Sequence, residues 1–169
     1  GAGGSGGICI LEGSYVETDQ GIKLIEDLTT NNTIHKLPIL EIYRSPATHP
    51  FVCIKKHSFG NNVPNRDTYI TNTHLLYDRK NNLLKSAGDF IDETRIVQAN
   101  INKKKYCYHI LLPNWSLLNV NNVECESLCC VHNISINFYK VNNIYQESFI
   151  DILKKQANII ATKNDIFVK

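Results

Sequence analysis

From Ile8 onward, apolar and polar positions alternate over short runs, each closed by turn-forming residues. "GSYVET", "IKLIEDL", "TIHKLPILEIY", "FVCIKK", "TYITNT", "YCYHILL" and "SLLNV" carry the two-residue period of half-buried strands. "DQG", Asn31-Asn32, "RSPATHP" at 44–50, "GNNVPNRD" at 60–67 and "RKNN" at 79–82 punctuate them. Many strands at such short spacing predict an all-β fold. The pattern changes near the C-terminal end. "ESFIDILKKQANII" places Phe149, Ile150, Ile152, Leu153 and Ala157 close to one helical face, with Ser148 in the N-cap position. A single C-terminal helix is therefore expected, either covering a sheet edge or meeting a partner. "GAGGSGG" offers nothing to bury and reads as a flexible linker or cloning remnant. The expected organisation is a Gly-rich segment over 1–7, a β domain over 8–130 and an extension over 131–169. No repeat of fixed period is visible.

The 169 residues suffice for one domain with a real core. A net charge of +2, from 18 basic and 16 acidic residues, gives no electrostatic case for nucleic acid or an anionic membrane. The basic run "NKKKY" at 102–106 is short enough to be a solvated loop or strand end. No apolar stretch approaches the roughly 18 residues that span a bilayer, and no signal-peptide core opens the chain. A soluble protein is expected. The six cysteines, without a secretory signal, are read as free thiols in a reducing intracellular compartment. Heavy use of Asn, Ile and Lys points to an AT-rich source genome.

The stretch "ITNTHLLYD", Ile70 to Asp78, raises a geometric question. On a regular strand Thr71, Thr73 and Leu75 share one face while Asn72 and His74 share the other. Thr71 and His74 can reach one point only if the strand bends or ends between them. Cys9 is a second candidate because it stands where the ordered body begins; the plain alternative is a small core hydrophobe. "CESLCCVH", Cys125 to His132, gathers three sulfurs and an imidazole, but lacks the second ligand pair of a structural zinc site. No cofactor or metal is expected. Cys9 with His74 could also serve a peptidase acting in trans, yet no local signature of such enzymes is present.

"CILEGSYVETDQGIKLIEDL", Cys9 to Leu28, resembles the opening of a Hint domain, the module shared by Hedgehog autoprocessing domains and inteins. "NRDTYITNTHLL", Asn65 to Leu76, resembles its second hallmark, an apolar strand ending in Thr-x-x-His. Tyr108 to Leu128 is similar to the last strands of the bacterial-type branch. The resemblance implies a Hint-type β fold and catalytic roles for Cys9, Thr71 and His74. Cys9 would attack the Ile8 carbonyl and turn the Ile8–Cys9 amide into a thioester, with the protein's own upstream segment as substrate. His74 would protonate the departing amine, and Thr71 would hold the scissile amide. A thiol of pKa about 8.5 still needs a base, for which His109 and His132 are the candidates. The acceptor could be water, a thiol or an amine.

Two departures qualify this. Asn31-Asn32 replaces the usual Gly-Asp, a change that Asn tolerates by adopting a left-handed turn. Glu126-Ser127 stands where splicing inteins carry His-Asn. His132-Asn133 comes later, and Ile134 after it cannot act as a splicing nucleophile. N-terminal cleavage or transfer without full splicing is therefore expected. The alternative is a catalytically inactive Hint-fold module that serves structure or interaction.

Overall fold

The alternating runs pair as antiparallel strands in a computed structural model that describes residues 8–102, 104–113 and 115–128. The first strands are β1 (Ile10–Leu11), β2 (Tyr15–Thr18), β3 (Gly21–Leu24), β4 (Thr33–Ile34) and β5 (Leu37–Pro38). Next come β6 (Glu41–Pro46), β7 (Phe51–Ile54), β8 (Thr68–Thr71), β9 (Leu75–Asp78) and β10 (Leu83–Ser86). The series closes with β11 (Ile96–Ala99), β12 (Tyr106–Leu111), β13 (Leu117–Val120) and β14 (Val123–Glu126). Two 3-10 turns, Ile25–Asp27 and Ala87–Phe90, are the helical elements among the described residues. None of these is long and apolar enough to cross a membrane. The expected C-terminal helix, His132-Asn133 and the Gly-rich segment lie outside the described residues.

One sheet has the order β10-β9-β14-β13-β2-β3, the other β11-β7-β8-β1-β12-β6, with β4 and β5 as a small separate ladder. The two large sheets share a core. Val16, Leu76, Leu118, Val120 and Val123 come from the first, and Ile10, Val52, Ile54, Ile70 and Ile110 from the second. The intervening positions of the second sheet are also buried. Cys9, Leu11, Phe51 and Cys107, with Ala47, form a smaller cluster of their own. Strands covered on both faces read as near-continuous apolar runs, as "FVCI" does in β7.

Turn chemistry accounts for several boundaries. Asp19-Gln20 links β2 to β3, and Gly21 follows at φ 103°, where a side chain would be strained. Asn121 and Asn122, at φ 49° and 75°, make the two-residue link of the β13–β14 hairpin. His35 and Lys36 are also left-handed, at φ 53° and 63°, and this splits "TIHKLPILEIY" into three strands where one continuous run was predicted. The loop expected from residue 44 begins later, because β12 pairs with β6 as far as Tyr106 opposite Pro46. β6 is an edge strand, where proline's missing N–H breaks no ladder. Asn31 and Asn32 do not adopt the predicted left-handed turn. Asn32 instead accepts the Thr29 N–H on its side-chain oxygen at 2.9 Å and returns its own N–H to the Thr29 carbonyl at 3.0 Å.

Candidate active site

β1 lies between β8 and β12, and each neighbour brings different chemistry to Cys9. On the β8 side, Ile10 pairs with Ile70, so the preceding residue meets Thr71. The Thr71 N–H donates to the Cys9 carbonyl at 3.0 Å, and the Cys9 N–H donates to Thr71 Oγ1 at 3.0 Å. The Ile8–Cys9 amide nitrogen is thus held by a hydroxyl. β8 ends at this residue. The chain then turns through Asn72 and Thr73, and the His74 N–H donates back to the Thr71 carbonyl at 3.1 Å. That turn is pinned from outside: Asn72 N–H donates to Pro50 O at 3.1 Å, and Ala87 N–H to His74 O at 2.8 Å. The offset of three between Thr71 and His74 is the signature of a strand end followed by a tight turn. Both side chains are buried.

The His74 ring is directed by β14. Its Nε2 lies 2.7 Å from the backbone carbonyl of Glu126. A carbonyl only accepts, so Nε2 carries a hydrogen in either charge state and Nδ1 is the nitrogen that gains or loses a proton. The Glu126 carboxylate reaches the same turn and accepts the Leu75 N–H at 2.8 Å. Burial pushes this carboxyl up to about 7, opposed by the Leu75 N–H and by the neighbouring Trp115 indole. The indole N–H lies near the carboxyl but outside hydrogen-bond geometry.

On the other side, β12 pairs with β1 through Cys107–Leu11 and Tyr108–Ile10, which brings the next β12 residue opposite Cys9. His109 Nε2 lies 2.9 Å from Cys9 Sγ. Ser45 on β6, opposite Cys107, places its hydroxyl 4.0 Å from the Cys9 sulfur and 3.5 Å from the Cys107 sulfur. Cys9 and Cys107 are paired as a disulfide, with their Cα atoms 5.5 Å apart. The expectation of free thiols fails for this pair. Two cysteines 98 residues apart look unrelated until antiparallel pairing makes them diagonal neighbours across a ladder. Cys53 and Cys125 are free and buried, and burial raises both thiols above the usual range.

The structure therefore brings Thr71 onto the Cys9 amide and His109 onto the Cys9 sulfur. It sets His74 one hydrogen-bonded turn from Thr71 with its Nε2 on Glu126. His132 lies outside the described residues. Sequence reasoning missed Cys107 and the grip of Glu126. The alternation in "YCYHILL" does set Cys107 and His109 on one strand face, but nothing local says that this face meets Cys9. Among the described residues no three His, Cys, Asp or Glu side chains converge as a metal cluster.

The model of the Hint domain matches residues 8–132. The chain belongs to the Hint-domain family. Among solved structures, this Hint domain is similar to the solution structure of a bacterial intein-like domain from Clostridium thermocellum. The TM-score is 0.51 at 14% identity, over 72% of this chain and 99% of that one. The crystal structure of the gp41-1 intein is also similar, with a TM-score of 0.46 at 14% identity over 70% and 97% of the two chains. No curated protein matches. At such identity the likeness to the bacterial domain concerns the fold: an all-β, intein-like Hint domain, of the kind that supports self-processing.

Proposed function

We propose that this Hint domain performs an N-to-S acyl shift at Ile8–Cys9, followed by cleavage or transfer of the upstream segment without splicing. The observation that carries the reading is the two-sided hold on Cys9. Thr71 Oγ1 sits on its amide nitrogen and His109 Nε2 on its sulfur, at 3.0 and 2.9 Å. An external dithiol such as dithiothreitol must first reduce the Cys9–Cys107 disulfide to two thiols, becoming a disulfide itself. His109 then takes the Sγ proton, and the thiolate adds to the Ile8 carbonyl carbon. The C–N bond of Ile8–Cys9 breaks as the nitrogen receives the Nδ1 proton of His74. The products are an Ile8 thioester on Cys9 Sγ and a free Cys9 amine. Because attacker and target are adjacent in one chain, positioning can remove about 7–11 kcal/mol of barrier in well-oriented cases. Water, a thiol or an amine then takes the acyl group from sulfur. Glu126-Ser127 at the domain end, in place of His-Asn, supports a reaction that stops short of ligation.

The test is intact-mass analysis of the reduced chain incubated with hydroxylamine or excess dithiothreitol. A fragment beginning at Cys9 is expected over hours, since the β-branched Ile8 crowds its own carbonyl, and Cys9→Ala should not yield it. Equal cleavage in Cys9→Ala would refute the reading. A reduced wild-type chain that stays whole would favour the inactive structural module.

A further inference from the structure

Glu126 occupies an unusual place for a carboxyl. It is buried at the end of β14, and two of its groups take hold of one short turn. Its carboxylate accepts the Leu75 N–H at 2.8 Å, and its carbonyl faces His74 Nε2 at 2.7 Å. Those two contacts bracket a single residue, His74. We propose that Glu126 is the positioning residue of this site, holding the Thr71–His74 turn in place and fixing by its own ionisation the pH range over which His74 keeps its proton. This deepens the acyl-shift reading and rests on it.

The geometry gives the direction of the coupling. The carbonyl contact orients the ring and keeps hydrogen on Nε2, so Nδ1 is the working nitrogen. The carboxyl binds the peptide N–H that directly follows His74, and an ionised carboxylate at the neighbouring residue would favour the imidazolium form. The carboxyl is also poised to change charge near neutrality, because burial raises it to about 7. Among the described residues, His74 is the titratable group that faces Glu126 from the β8–β9 turn. Cys125, on its own strand, stays a neutral thiol because burial pushes it up. On β13, Leu117 pairs with Glu126, and its carbonyl contacts His35 Nε2 at 2.6 Å. Glu124, on the same strand, is bound to Arg79 through two short hydrogen bonds. Trp115 and Ser127 contribute an indole and a hydroxyl.

Glu126→Gln keeps an oxygen for the Leu75 N–H and removes the titration. Thiol-induced cleavage of the reduced wild type and of this variant should be followed from pH 5.5 to 8.5. The nucleophile titrates identically in both, so their rate ratio reads the protein alone. The two should agree within about twofold at the acid end, and the variant should fall about tenfold behind near pH 8, where one pH unit of His74 affinity is a factor of ten. A ratio that stays flat with pH would make Glu126 merely structural and overturn the proposal. The coupling is also readable without any reaction, from the NMR titration of His74 in the oxidised, unreactive wild-type chain. The His74 shifts should move in two steps, one of them following Glu126. A single step would overturn the proposal even if Glu126→Gln did not fold. If the wild type never cleaves while both steps are present, the acyl-shift reading fails and the coupling stands.

Discussion

Replacing Thr71 by Val tests the contact on which the site turns. The two side chains have nearly the same shape, so the change removes a hydroxyl and little else. The Cys9 amide is fully buried, and Thr71 Oγ1 at 3.0 Å is the acceptor given to its N–H. A buried donor left unsatisfied costs about 1–3 kcal/mol. The nitrogen becomes more positive as the C–N bond breaks, so its hydrogen bond to the hydroxyl strengthens in the transition state, by about 1–2 kcal/mol on passing from a neutral to a charged donor. Only that gain slows the reaction when it is lost, and at 1.36 kcal/mol per factor of ten the cleavage rate should fall about 5- to 30-fold. The assay is appearance of the fragment beginning at Cys9 in reduced protein with saturating thiol, read by mass spectrometry. Thermal unfolding of the same samples would show that the variant is folded at the assay temperature. Thr71→Ser should recover most of the rate, because it restores the oxygen. A folded Thr71→Val cleaving within about twofold of wild type would refute the role given to the hydroxyl.

Without reductant, wild-type cleavage should be absent because Cys9 is tied to Cys107; Cys107→Ala should cleave with hydroxylamine alone, as intact mass would show. No ligated product should form under conditions that cleave at Cys9, because Ile134 offers no nucleophile, and no species ending at Asn133, because the family position of the cyclising Asn is held by Ser127, which cannot form a succinimide; a doubly tagged chain followed by mass spectrometry checks both. Asp92 accepts the N–H groups of Thr94, Arg95 and Ile96 at 3.0, 2.8 and 2.9 Å, so Asp92→Ala should cost about 1 kcal/mol, as lost caps do, and lower Tm by about 2–4 °C. The same contacts, that to Ile96 foremost, hold the Asp92 carboxyl well below its ordinary 3.8. Its contribution is therefore complete above that pH and is lost as pH falls toward the folded value, which acid unfolding of wild type against Asp92→Ala would reveal.

How far the sequence could be read depended on the range of the interactions involved. Tyr15–Thr18, Phe51–Ile54, Thr68–Thr71, Tyr106–Leu111 and Leu117–Val120 were legible as strands because alternation is a local signal. Thr71 and His74 were legible as a pair because three residues of spacing suffice to suggest a strand end. The left-handed His35-Lys36 turn was not, since positive φ is uncommon for any residue but glycine and Lys36 carries no local signal for it. Asn31-Asn32 suggested a backbone solution, and the fold uses a side-chain one. Cys107 and Glu126 were hidden for another reason. They reach the site through pairings across more than fifty residues, where register is decided by the whole sheet and not by neighbours in the chain.

The double hydrogen bond between Cys9 and Thr71 has a consequence for the direction of the reaction. In the proposed reaction, breaking the Ile8–Cys9 bond would not release Cys9 from the sheet, because the Thr71 N–H still holds its carbonyl and Ile10 still pairs with Ile70. The new amine and the thioester sulfur belong to this one residue, so they would stay side by side in a fixed frame. Return of the acyl group to nitrogen is as intramolecular as the forward step, and it re-forms the more stable amide. Left alone, the domain would reverse many times for each escape. What it would hold is a small standing population of activated acyl groups, and the concentration of the external acceptor would set the yield.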